Sequence, residues 1–115
     1  MHEAYIKINK ADRALIYRAE GHAGYAPAGQ DIVCAGASML AGTLAETMTA
    51  AYQAGWVGDT AIVELLADKS EVSCIADDEE AFGELARAYL LIATGYRLLS
   101  INYPEYVKFK AEITA

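Results

Sequence analysis

Gly21-His22-Ala23-Gly24-Tyr25-Ala26-Pro27-Ala28-Gly29-Gln30-Asp31-Ile32-Val33-Cys34-Ala35-Gly36-Ala37-Ser38 joins two segments of different character. The run before it, Ala14-Leu15-Ile16-Tyr17-Arg18-Ala19-Glu20, reads as a strand, because β-branched and aromatic side chains suit a pleated surface. The run after it, Ile32 to Tyr52, is alanine-rich, with Met39, Leu40, Leu44 and Met48 at helical spacing. It predicts a helix of about six turns. Gly24, Pro27 and Gly29 make the segment between them a turning loop. The chain therefore passes from sheet to helix here, and the two ends of the loop can come together.

Working outward, Tyr5-Ile6-Lys7-Ile8-Asn9 alternates as a first strand, and Asn9-Lys10-Ala11-Asp12 turns it into the second as a hairpin. Asp31 is placed to cap the helix, with Gly55 closing it and Gly36 and Gly42 offering close packing. A second hairpin follows, Ala61–Leu66 and Glu71–Ala76, turning at Asp68-Lys69. Asp77 with Glu80 forms the pattern of a capping box for a second helix. Its apolar stripe is Phe82, Leu85, Ala86, Tyr89, Leu90, Ala93 and Tyr96, widened by Leu91, Ile92, Leu98 and Leu99. Pro104 stops it, and Val107–Ile113 alternates as a last strand. The order β-β-α-β-β-α-β lacks regular βαβ repetition. It predicts a single α+β domain over residues 1–115, with one mixed or antiparallel sheet packed by two helices. The second helix is apolar on more sides than a small monomer covers, which predicts a homodimer.

The chain has 115 residues, a net charge of -7, two cysteines and two histidines. That length suits one modest core. The acidic balance argues against nonspecific nucleic-acid binding and suits a basic partner. The start, Met1-His2-Glu3-Ala4-Tyr5-Ile6-Lys7, lacks the apolar region of a signal peptide. No stretch reads as apolar enough to span a bilayer, the most apolar run being Ala88–Ala93, so no membrane partner is expected. Cysteines without secretory features predict reduced thiols and a cytoplasmic location.

His22 closes the second strand and Cys34 falls in the first turn of the helix. A helix N-terminus favours a thiolate, and a neighbouring imidazole can take a proton and return it to a leaving amine. Backbone N–H groups at the helix start, that of Cys34 included, would then hold the oxyanion. On residue types alone, His22 could equally pack at a strand end and Cys34 be an ordinary buried thiol. Ser38, one turn above Cys34, either bonds its own helix, or orients His22 or shapes the oxyanion site. Asp31 is a cap with orientation of His22 as a second duty. Tyr25 contacts substrate or covers the core. Cys74 belongs to a core strand, and His2 to a terminus prone to fraying. His22, Cys34, Cys74 and Asp31 could supply zinc ligands by number, but the close ligand pairs of such sites are missing, so no metal or cofactor is expected.

Gly21-His22-Ala23, Gly29, Asp31-Ile32-Val33-Cys34-Ala35 and Ser38, at this spacing, resemble the signature of the ribosomal-processing cysteine protease family, Prp. The similarity extends more loosely along the chain to Tyr103-Pro104-Glu105-Tyr106-Val107. The chain departs from the pattern at Gly36, where the family more often has alanine, and its His22–Cys34 loop is poor in charge. The resemblance implies a cysteine endopeptidase in which His22 and Cys34 form a catalytic dyad. Gly21, Tyr25, Asp31 and Ser38 would orient these groups or touch substrate. It further implies a homodimer whose loop is mobile until substrate orders it. The implied substrate is the extended precursor of large-subunit ribosomal protein L-twenty-seven. Phage-borne relatives instead process capsid or scaffold proteins. A third reading, from another class, is a dimeric interaction module in which His22 and Cys34 are structural.

Overall fold

The computed structural model describes residues 1–27 and 29–114; Ala28, in the loop quoted above, and Ala115 lie outside the described residues. The elements are β1 (His2–Asn9), β2 (Ala14–Glu20), α1 (Ile32–Gln53), β3 (Ile62–Leu65), β4 (Lys69–Ile75), α2 (Glu79–Asn102) and β5 (Val107–Thr114). This is the expected order. The strands form one five-stranded sheet, β3-β4-β2-β1-β5. All neighbours are antiparallel except β1 and β5, which run parallel. The sheet is thus mixed and the class α+β. Strand β5 reaches β1 only after α2 has crossed the sheet, and such a crossover delivers a parallel strand.

Alternation separates the two faces. Ala4, Ile6 and Ile8 of β1, Leu15, Tyr17 and Ala19 of β2, and Val72 and Cys74 of β4 are buried under the helices. Their neighbours in sequence, such as Lys7, Arg18 and Glu71, lie on the other face. Two strands start earlier than their alternation suggests. His2 is drawn into β1 because its N–H donates to Tyr106 O at 2.9 Å. Lys69 is drawn into β4 by its pairing with Glu20. Both extensions come from partners remote in sequence. Strand β3 is shorter than predicted, and its four residues are exposed at the sheet edge.

The buried face of α1 is Val33, Ala37, Ala41, Leu44, Ala45, Met48 and Ala51. Met39, which the spacing placed in this stripe, is 71% exposed. The small residues let the helices approach closely. A Cβ on Gly36 would lie 3.3 Å from the Leu99 side chain, and one on Gly95 would meet Leu40. Gly42 faces open space and plays no such part. Past Gln53 the chain closes with the Trp56 N–H on Ala51 O (3.0 Å) and the Gly55 N–H on Tyr52 O (3.1 Å). Gly55 takes the positive φ of +79° that this C-terminal motif requires. By length and composition α1 could cross a bilayer, with 22 residues and a mean hydropathy of 1.3 over its most apolar window. This corrects the expectation that no stretch qualifies. In the fold its buried stripe lies against the sheet and α2.

Helix α2 is capped by Asp78 and not by Asp77. Asp78 Oδ1 accepts the Ala81 N–H at 2.8 Å. The Asp77 N–H is already committed to Trp56 O at 2.8 Å, which keeps the chain extended for one residue more. Glu80 then stands two residues after the cap, so the predicted capping box cannot close. Phe82, Leu85, Tyr89, Ile92, Ala93 and Tyr96 face inward, while Leu91, Leu98 and Ile101 are exposed. Leu90, expected in the stripe, is exposed as well.

Asp78→Ala should lower stability by about 1 kcal/mol through loss of the cap. Asp77→Ala should fall within roughly 0.5 kcal/mol of wild type, as surface substitutions do. Urea unfolding of both variants checks the assignment.

Candidate active site

Gly21 ends β2 at a φ of +87°. A Cβ there would run into the Met1 carbonyl oxygen, so only glycine fits. Its N–H donates to Asp68 O at 2.8 Å, tying the strand end to the β3–β4 turn. The next residue is His22, whose carbonyl accepts the Met1 amino group at 2.8 Å. His2 is not frayed, contrary to expectation. Its Nδ1 lies 2.9 Å from Gly21 O and its Nε2 3.1 Å from the Tyr96 hydroxyl. The main chain on either side of the His22 Cα is therefore held by the first two residues.

Asp31 does more than cap. Its Oδ1 accepts the N–H groups of Val33 (3.0 Å) and Cys34 (2.9 Å), the N-cap bonds expected. Its Oδ2 accepts the N–H groups of Tyr25 (3.1 Å) and Ala26 (3.4 Å) across the loop. Desolvation alone would raise its pKa. The backbone N–H groups of Cys34 and Ala26, the Cys34 side chain and the Tyr25 N–H outweigh that and hold it below the ordinary value of 3.8. The carboxylate makes no hydrogen bond to the His22 ring, so the second duty expected of it, orienting the imidazole, is not seen.

Cys34 occupies the first turn of α1, half-buried. Buried Ala23 brings its N–H to 3.4 Å from Cys34 Sγ. This contact fastens the β2 end to the α1 start, eleven residues on. The Cys34 N–H is engaged by Asp31, and the backbone donor directed at the sulfur is that of Ala23. No side-chain pattern announces a backbone donor; the only sequence signal is its position between His22 and Gly24.

The loop is better packed than its small residues suggest. The Tyr25 ring stands edge-on against Tyr103 (centroids 5.5 Å apart) and Tyr106 (5.2 Å). These belong to the Tyr103–Val107 segment between α2 and β5, so that segment anchors the loop. Tyr25 remains 42% exposed. His22 and Ser38 are exposed, and neither side chain hydrogen-bonds a described residue. His22, Cys34 and Ser38 line two adjoining clefts. One, of about 630 Å³, is walled by Gly24, Ala26, Gly29, Gln30, Asp31 and Ile32. The other, about 160 Å³, is walled by His2, Tyr17, Tyr96 and the β3–β4 turn. Cys74 is apart from this site, buried in β4, where desolvation pushes its thiol up to about 12. Among the described residues, no group of three or more His, Cys, Asp or Glu side chains is placed to hold a metal ion.

The family model for cysteine protease Prp matches residues 1–108. The chain belongs to the Prp family of cysteine proteases. As a Prp protein it is an enzyme, and the interaction-module reading falls away. The fold is similar to SMU.848 from Streptococcus mutans, with a TM-score of 0.71 and 22% identity over 99% of this chain and 96% of that one. It is also similar to the ribosomal processing protease Prp of S. aureus. With a covalently linked product peptide that structure gives a TM-score of 0.62 at 19% identity, covering 97% of this chain and 100% of that one. With a substrate peptide it gives 0.61 at 17% identity, with the same coverage. At these identities the likeness is one of fold. No curated protein matches the sequence of this Prp protein.

The Asp31 carboxylate has a definite pH signature in this Prp protein. Its folded pKa is depressed, so its contribution to stability is present above the unfolded value and lost as pH falls through the folded one. Asp31→Asn should lower the urea midpoint at neutral pH. The gap to wild type should close as pH drops below 3.8, the ordinary carboxylate value.

Proposed function

We propose that Cys34 is the nucleophile and His22 the general base and acid of this protease. His22 takes the thiol proton, and the sulfur attacks the scissile carbonyl of an extended peptide. The C–S bond forms as the carbonyl oxygen becomes an oxyanion. The Ala23 N–H, beside the sulfur, donates to that oxyanion. His22 returns the proton to the amine as the C–N bond breaks, and water then hydrolyses the thioester. The observation that carries this reading is the Ala23 N–H at Cys34 Sγ, in clefts that His22 also lines. The imidazole has no partner to surrender among the described residues, and catalytic hydrogen bonds commonly tighten only when substrate binds. Ser38, exposed at the seam of the two clefts, contacts substrate.

The substrate is a flexible tail, because a cleft of these dimensions admits an extended segment and not a folded domain. The net charge of -7 favours a basic owner, and ribosomal proteins are basic. The S. aureus protein of the same fold is a ribosomal processing protease seen with a substrate peptide. The reading is therefore removal of an N-terminal extension from the L-twenty-seven precursor, in the cytoplasm, where the free thiols of Cys34 and Cys74 persist. The enzyme works as a homodimer. Exposed Leu91, Leu98 and Ile101 of α2 supply the apolar surface for it.

Mass spectrometry of an extended L-twenty-seven precursor should show one cut with wild type and none with Cys34→Ala or Cys34→Ser. Ser38→Ala should slow cleavage less than either. Cleavage of a capsid precursor instead would give the phage-type substrate. Iodoacetamide should label Cys34 faster than Cys74, whose burial keeps it protonated, and His22→Ala should slow the labelling of Cys34. Cleavage that survives Cys34→Ala would end the mechanism.

Light scattering on a sizing column should give the mass of a dimer at micromolar concentration. Leu98→Glu together with Ile101→Glu should shift it to the monomer. A monomeric wild type would remove the dimer and leave the chemistry standing.

A further inference from the structure

Beneath the smaller cleft runs a chain of polar side chains that the mechanism above does not use. Ser70 Oγ donates to the Tyr17 hydroxyl at 3.2 Å. The Tyr17 and Tyr96 hydroxyls are 2.7 Å apart. Tyr96 reaches His2 Nε2, and His2 Nδ1 reaches Gly21 O. For a neutral His2 ring, donor and acceptor chemistry sets the direction of this chain. A carbonyl only accepts, so His2 Nδ1 carries the proton. In the neutral ring Nε2 is then an acceptor, Tyr96 donates to it, and Tyr17 donates to Tyr96. Both tyrosines are fully buried, and burial raises their pKa values, so both keep the protons this ordering needs.

The ring of His2 is held in orientation as well as in place. It stacks on Tyr96 at 5.8 Å and 11°, and Tyr96 stacks in turn on Phe109 of β5 at 5.6 Å. What this assembly grips is the carbonyl of Gly21, one peptide before His22. Gly21 has the backbone freedom to swing, at a φ of +87°, so the carbonyl needs a fixed partner.

We propose that His2 is a positioning residue for the reaction: its imidazole, ordered by Tyr96 and Tyr17, fixes the Gly21 peptide and so aims the His22 side chain at Cys34. The inference rests on the reading of His22 as the base. The His2 ring hydrogen-bonds Gly21 O and the Tyr96 hydroxyl, and not the Cys34 thiol. Its effect is one of alignment, and small displacements of a reacting group are costly.

The test uses iodoacetamide labelling of Cys34 in the intact protein, with thermal unfolding measured alongside. His2→Phe keeps the stacked ring and removes both hydrogen bonds. His2→Asn restores a donor to Gly21 O without the ring. Tyr96→Phe keeps its stacking and removes the bond to Nε2. His2→Phe should slow Cys34 labelling about five- to tenfold with little change in melting temperature, and Tyr96→Phe should slow it by roughly two- to fivefold. His2→Asn should recover the rate to within about twofold of wild type, which a purely structural ring would not allow. Wild-type labelling by His2→Phe, with His22→Ala slow, would overturn the inference and spare the dyad. A loss equal in His2→Phe and His2→Asn would also overturn it, since the Gly21 bond would then not be the cause. Wild-type labelling by His22→Ala would overturn the dyad and this inference together.

Discussion

One carboxylate sets the geometry of the site. Asp31 collects four backbone N–H groups, two from the first turn of α1 and two from the loop before it. A helix start leaves donors unpaired, and a side chain that accepts two of them fixes where the helix begins. By accepting two more from Tyr25 and Ala26, Asp31 also fixes how the loop returns to that start. Cys34 and Ala23 meet as a result. The arrangement uses up the Cys34 N–H, so the donor near the sulfur comes from the opposite side of the loop.

The second support is apolar. Tyr25 rests on Tyr103 and Tyr106, and Leu99 of α2 lies against Gly36, two residues past Cys34. Helix α2 thus bears on the thiol-bearing turn from behind and on the loop through its C-terminal extension. Gly36 has little spare room beside α2. A methyl group at that position would press on Leu99 at 3.3 Å, tighter than an ordinary contact.

The fold was legible in the sequence because its determinants are local. Alternation in Ala14–Glu20, helical spacing after Asp31 and the stop at Pro104 each act within a few residues. The order of elements and the position of Cys34 follow from them. What escaped was decided by remote partners. His2 reads as a loose terminus until Tyr96 and Gly21 are seen beside it. Asp77 reads as the cap until Trp56 O is seen to engage its N–H and Asp78 to accept the Ala81 N–H. Met39 and Leu40 fit one spacing equally well, and only the position of Gly95 shows that Leu40 faces α2. The Ala23 N–H was invisible for a different reason: alanine's side chain carries no trace of a backbone donor's role. Tyr25 lay between, plainly a loop aromatic, with its supports distant in sequence.

The parallel pairing of β1 with β5 joins His2 to Val107, nearly the whole chain apart. Contacts of such separation close the largest loop in the molecule, and their entropic cost is met only when many others are in place. The β1–β2 hairpin and the two helices can form from local sequence. The floor beneath Tyr25 and Phe109 beneath Tyr96 arrive with the last segment. The cleft at Cys34 thus rests on the most remote strand pairing in the sheet: Tyr25 beside it is floored by the segment that β5 ties to the first strand.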